Sequence, residues 1–146
     1  MSDKMIQKRY VRRRRGNAVL DAALVLPILL SLTFGTVEYG YFFFVKHSLQ
    51  GAAREGCRAA IVPSTTTTTP VIQAMAASLY AAGLNTSTLT LDNKYDISHT
   101  TSVTPGTGNP ITVEIDVAWS SIGVRPLGLI GGTKIVKGVT VMRKEG

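Results

Sequence analysis

Between Ala22 and Val37 the chain carries no charged residue, and six residues separate this run from four consecutive arginines in front of it, Arg12, Arg13, Arg14 and Arg15. Flanked by Asp21 and Glu38, the run spans roughly 26 Å as a helix, close to the hydrocarbon thickness of a bilayer. A segment of this kind limits what the rest can be: one membrane-held helix with whatever folds behind it. Arginine excess at one end of a span stays on the cytoplasmic side. The expected topology is therefore single pass, with the amino terminus inside and everything after about Phe44 outside. A secretory signal peptide shares the basic front and apolar centre, but its apolar part is shorter and ends at a small-x-small site. Here the apolar stretch runs on past Gly35 into "EYGYFFFVKHSL" with no convincing site of that kind. Pro27 lies within the run and is expected to kink the helix without ending it.

The overall charge of +7 resembles a nucleic-acid signal until it is located. Lys4, Lys8, Arg9 and the four arginines all precede Gly16, opposed only by Asp3, which leaves a net of +1 from Gly16 onward. The basic charge belongs to a tail beside a membrane span, where topology and lipid headgroups account for it, and no nucleic-acid partner is expected. One cysteine, Cys57, excludes an internal disulfide, and two histidines, His47 and His99, are too few for a metal cluster.

Behind the span, the aromatic cluster Tyr39, Tyr41, Phe42, Phe43 and Phe44 suits a membrane interface. Lys46, Gln50, Arg54 and Arg58 then recur every four residues as a polar stripe, opposed by Phe42, Val45, Leu49, Ala52, Ala53, Gly56 and Ala60. The helix is thus expected to continue to about Val62. Ala52, Gly56 and Ala60, at i, i+4 and i+8, would let another helix approach closely, although alanine richness also simply favours helix. "PSTTTTTP", Pro63 to Pro70, reads as an exposed linker or long turn. "VIQAMAASLYAAGL" signals a second helix with Val71, Met75, Leu79 and Ala82 on one face and Gly83 as its stop.

Strand patterns take over after that. "ITVEIDVAW" alternates Ile111, Val113, Ile115 and Val117 against Thr112, Glu114 and Asp116. "TKIVKGVTVMR" repeats the habit with Ile135, Val139 and Val141 as its apolar members and Gly138 as a bulge or weak point. Weaker strands are expected at Thr86 to Leu91 and Tyr95 to Val103, with a turn at "TPGTGNP". The expected fold is α+β: a long amino-terminal transmembrane helix continuing into a small head, in which a second helix packs on an antiparallel sheet of three or four strands. The corresponding divisions are a basic cytoplasmic leader (1–16), the long helix (17–62, membrane-embedded to about 44), a Pro/Thr linker (63–70) and an extracytoplasmic head (71–146).

Catalytic signals are weak. Glu114 and Asp116 share a strand face and could form an acid and base pair, but alternation alone explains them as the solvated side of a half-exposed sheet. Cys57 and His47 are about 15 Å apart along one helix and cannot meet. There is no phosphate loop, metal-ligand spacing or nucleophile elbow. Neither an enzyme nor a cofactor is expected.

A basic leader, then Gly16, then an apolar helix whose fifth residue is an acid, is the arrangement of prepilin-like proteins. More narrowly, residues Arg12 to Val62 resemble the amino-terminal region of the TadE-like family of pseudopilins. The resemblance rests on Arg15-Gly16, Asp21, Ala23 to Pro27, Phe34-Gly35, Glu38-Tyr39 and Ala52 to Ala60, and more weakly on the terminal "VTVMRKEG". Two positions depart from the usual pattern: Asp21 stands where Glu is common, and Ala22 where an aromatic is common.

The resemblance implies cleavage between Gly16 and Asn17 by a prepilin peptidase, pairing of Asp21 with the amino terminus of its own or a neighbouring subunit, and work as a minor pilin of a tight-adherence (type IVb, Flp-type) pilus. By its own chemistry Asp21 could instead be an interfacial acid close to Arg15, but the pairing role is favoured. The implied partners are the peptidase, a TadF-like pseudopilin, the major pilin and the inner-membrane platform, in a hetero-oligomer at the bacterial inner membrane. Two other readings stay open. One is a permanent single-pass protein whose head binds a ligand or partner, and the other is an extracytoplasmic enzyme using Glu114 and Asp116.

Overall fold

The structure, a computed structural model, describes residues 14–96 and 108–145, with side chains from Ala18 onward. Its spine is α1, Arg14–Ile61, a helix of 48 residues with Pro27 inside it and no break there. Hydroxyls in the apolar half are silenced locally. Ser31 donates to the Pro27 carbonyl at 2.7 Å, Thr33 to Leu29 at 2.8 Å and Thr36 to Leu32 at 2.9 Å. Such bonds let polar side chains stand in an apolar medium without unpaired donors.

After a turn pinned by the Thr65 N–H on the Val62 carbonyl, α2 occupies Thr69–Ala81 with Pro70 in its first turn. Proline fits there because the amide it lacks has no partner inside the helix. The bracketed threonine stretch is therefore a short helix-to-helix turn, and Pro70 belongs to the helix. Gly83, at φ +73°, ends α2: its N–H reaches the Tyr80 carbonyl at 2.9 Å and the Leu84 N–H reaches Leu79 at 3.0 Å. This is a Schellman stop, with Leu79 and Leu84 buried together beneath it.

Three antiparallel strands, β1 (Tyr95–Asp96), β2 (Pro110–Ala118) and β3 (Ile135–Arg143), form a sheet in the order β1-β2-β3. A one-turn helix, α3 (Trp119–Ile122), follows β2. The alternation of β2 is kept: Ile111, Val113, Ile115, Val117 and the following Trp119 are buried. They share one core with Val45, Leu49, Ala52, Ala53, Cys57 and Ala60 of α1 and Val71, Met75 and Leu79 of α2. The α+β fold is as expected, with α1 lying on the inner face of the sheet and α2 packed against α1.

Four details differ from the sequence reading. Thr86 to Leu91 is no strand; the stretch is a loop knotted by its own side chains. The Asn85 amide donates to the Thr90 carbonyl at 3.0 Å, and Asp92 accepts from the Thr86 N–H at 3.0 Å and the Thr86 hydroxyl at 2.5 Å. Asn, Thr and Asp side chains here outcompete a ladder. Second, only Tyr95 and Asp96 of the expected next strand are paired, and residues 97–103 lie outside the described region, as do 104–107 of the following turn. Third, Ile135, Val139 and Val141 face outward, and the inner face of β3 is made by Val136 and Gly138 with the half-buried Thr140 and Met142.

The reason lies in the fourth difference. Gly138 is no bulge, since the pairing of β2 with β3 is unbroken through Ile115 opposite Gly138. A Cβ on it would instead fall on the backbone of Leu49 and Gln50. The face lacking a side chain at this position is the one that must receive α1.

Candidate functional site

The site is α1 itself, divided by what touches it. From Ala18 to Phe34 every residue is exposed, so this part is bare on all sides. At 1.5 Å per residue it is about 25 Å long. It lies in a helix long and apolar enough to cross a membrane, with a mean hydropathy of 2.0 in its most apolar window. Length and composition thus suggest a membrane-anchored single-pass protein. Asp21 and Pro27 both lie on the bare part. Asp21 is exposed and makes no ion pair with any described residue. Arg14, Arg15, Gly16 and Asn17 are described only as backbone, the first four residues of the helix, whereas Arg12 and Arg13 lie outside the described residues.

From Gly35 onward the head lies against one side of α1. A Cβ on Gly35 would sit 3.6 Å from the Leu129 side chain. Three residues later comes an acid that the sequence marks only as a flank of the apolar run and as part of the Glu38-Tyr39 motif. Glu38 is fully buried, and its carboxylate accepts the Ile130 N–H at 2.8 Å and the Leu127 N–H at 3.2 Å. The loop after α3 is thereby clamped to the helix, with Gly128 at φ +66° making the turn between the two donating amides. A lone acid at the end of an apolar run was the available signal; the partner amides, ninety residues away, were not. Next, Phe42 meets Trp119 edge-on at 5.3 Å and Tyr41 packs on the same ring at 5.9 Å. Two of the five aromatics expected at the interface therefore anchor the head, while Tyr39, Phe43 and Phe44 remain exposed.

Higher up, Ala52, Gly56 and Ala60 are buried against the head of the same chain. Met75 and Val113 close over Gly56 so tightly that a Cβ there would come 2.6 Å from Met75 Cγ. Gln50, from the polar stripe, binds the free edge of β3: its amide donates to the Val139 carbonyl at 2.6 Å and accepts the Val139 N–H at 3.3 Å. A side-chain amide thus pairs an edge strand as another strand would, which blunts edge-to-edge association. Lys144 closes the top by donating to the carbonyls of Ala60 (3.0 Å), Val62 (2.7 Å) and Thr65 (3.2 Å), at the end of α1 and in the turn that follows it.

Of the other chemistry-bearing groups, Cys57 is buried, with its thiol directed at the Ile111 carbonyl at 3.6 Å, and burial raises its pKa above the usual thiol value. Glu114 is engaged by Lys137 at 2.6 Å, and this hydrogen bond raises the lysine pKa. Among the described residues no group of acids, histidines and cysteine could hold a metal.

Residues 16–58 match the family model described as TadE-like protein. This segment resembles the TadE-like family. The match covers well under half of the chain, and it takes in Asp21, Pro27, Glu38 and Gly56 while leaving the whole head beyond α1 outside. No curated protein and no solved structure matches the chain. In the TadE-like segment, then, Glu38 reaches a partner loop that lies outside the matched residues.

Proposed function

We propose that the chain is a minor pilin or pseudopilin of a tight-adherence, Flp-type (type IVb) pilus system, cut between Gly16 and Asn17 by a prepilin peptidase and working without catalysis of its own. The observation that carries this reading is the TadE-like match from Gly16, on a helix whose residues from Ala18 to Phe34 are all exposed. A helix bare over that length is what insertion into lipid, and then lateral packing among pilin helices, would both use. Removal of the leader would take away the arginines and create an ammonium on Asn17, one helical turn from Asp21. A carboxylate in an apolar medium is costly alone and tolerable when paired. Asp21, exposed in the single chain, is suited to pair with an amino terminus of its own or a neighbouring subunit. The head stays on the far side of the bacterial inner membrane, and the partners are a TadF-like pseudopilin, the major pilin and the membrane platform.

The test is the intact mass and amino-terminal sequence of the protein from membranes of a host that has the peptidase. A chain beginning at Asn17, lost in Gly16→Ala, is expected, and Asp21→Ala is then expected to be processed but left out of assembled pili. A mature chain that keeps Arg12 to Arg15 would overturn processing and favour a permanent anchor whose head binds a partner.

A further inference from the structure

We infer that the loop between α3 and β3 is a second membrane contact, its tip at Leu127 to Leu129 seated in the headward leaflet beside the last turn of the α1 span. It rests on the membrane-held reading of α1 and adds to it a lipid-binding element in the head itself.

Depth is the first ground. About 20 apolar residues are needed to cross the hydrocarbon, so a span entering at Ala18 leaves it near Val37. Leu129 stands beside Gly35, on the membrane side of that exit, and the loop amides bind Glu38 immediately above it. The second ground is composition. Leu127 and Leu129 are 41% and 55% exposed although they lie against the helix, and Phe34, next to Gly35, is also exposed. Exposed Arg125 and Lys134 flank the tip, where phosphate headgroups would meet them. An apolar tip between cations, level with the end of a span, is the pattern of an interfacial anchor.

The third ground is backbone chemistry. A loop can approach hydrocarbon only if its polar groups are satisfied. Glu38 satisfies two of them, and in return those amides are the partners of a carboxylate that is fully buried at the same level. A water-exposed loop would need no such acid, and a lone acid there would have no reason to be buried.

The test uses the full chain, with Cys57→Ala and one new cysteine carrying an environment-sensitive fluorophore, in vesicles of phosphatidylethanolamine and phosphatidylglycerol containing lipids nitroxide-labelled at known depth. Leu29→Cys reports the span, Leu129→Cys the loop, and Val141→Cys, exposed on the far part of the head, the aqueous reference. The expected result is blue-shifted emission at Leu129 that is lost with shallow nitroxide lipids, quenching from deeper lipids at Leu29, and neither change at Val141. With Glu38→Ala added, quenching at Leu129 falls while that at Leu29 is kept.

If Leu129 is as wet as Val141 while Leu29 is quenched, the loop is not a membrane element and the inference fails although the span stands. If Leu129 is blue-shifted but unquenched by any lipid, protein covers the tip and the inference fails in favour of subunit packing. If Leu29 is unquenched, the membrane-held reading of α1 fails and takes the loop with it. Unchanged quenching at Leu129 in the Glu38→Ala chain would remove the clamp from the account.

Discussion

The lower half of α1 (18–34) and its upper half (35–61) are one continuous helix, and both carry apolar surface, on every side below and on one face above, but that surface is built from different side chains. The lower half is rich in Leu, Val and Ile, and all of them are exposed. The upper half buries Ala52, Ala53, Gly56, Cys57 and Ala60, mostly small, around the larger Val45 and Leu49. Large aliphatic groups all round suit an apolar solvent, which needs no fitted partner. Small groups on one side suit a fitted partner, since they let the backbones of α2 and β3 come close and make dispersion contacts along the whole seam. Hydrophobicity alone does not separate a membrane stretch from a core stretch; residue volume and its arrangement around the helix do.

The sharpest way to break this comparison is to delete the same side chain in both halves. Leu49→Ala should lower head stability by about 2–5 kcal/mol, while Leu29→Ala should change it by less than about 0.5 kcal/mol, both read from denaturant unfolding in detergent followed by far-ultraviolet circular dichroism. Equal effects would erase the distinction.

Next in size, Gly138→Ala should cost about 1–3 kcal/mol by pushing β3 off the Leu49 backbone, whereas Gly40→Ala, with open space at its Cβ, should be neutral or slightly stabilising in the same assay. Lys144→Met should cost about 1–2 kcal/mol, because it removes three hydrogen bonds that a buried ammonium makes to the end of α1 and its turn. Faster amide exchange confined to the 61–70 turn and the last turns of α1 would locate that loss.

The smallest effect concerns pH. Hydrogen bonds from Thr86, first of all its hydroxyl, hold the Asp92 carboxyl below the ordinary range. A depressed folded value means that the stabilisation is present above the unfolded pKa and is lost as pH falls through the folded one. The 85–92 loop should therefore open only in acid, below about pH 4, seen as loss of protection at the Thr86 amide and absent in Asp92→Asn.

Much of this division was legible beforehand. The uncharged run and the four-residue polar stripe placed the end of α1 near Val62, and the structure ends it at Ile61. Strict alternation put Ile111, Val113, Ile115 and Val117 inside. The face of β3 was misread because its outward residues, Ile135, Val139 and Val141, are more apolar than the inward ones; what fixes the face is steric, the need for Gly138 beneath α1. Glu38 was visible as a charge, but its clamp depends on a turn at Gly128 far along the chain. The loop at 86–91 looks β-prone by its threonines, and the local bonds of Asn85, Thr86 and Asp92 override that propensity.

Along α1 the surroundings change at Gly35, and a residue-by-residue accessibility scan reads that change. Spin labels would be placed singly from Val19 to Ala60 in the bilayer-reconstituted chain, and collision with oxygen and with a water-soluble nickel chelate would be measured at each. Oxygen accessibility is expected to be high on every side from Val19 to Phe34, then to follow a period of about 3.6 residues with minima at Val45, Leu49, Ala52–Ala53, Gly56–Cys57 and Ala60. A 3.6-residue period that began already in the lower half, or none in the upper, would contradict it.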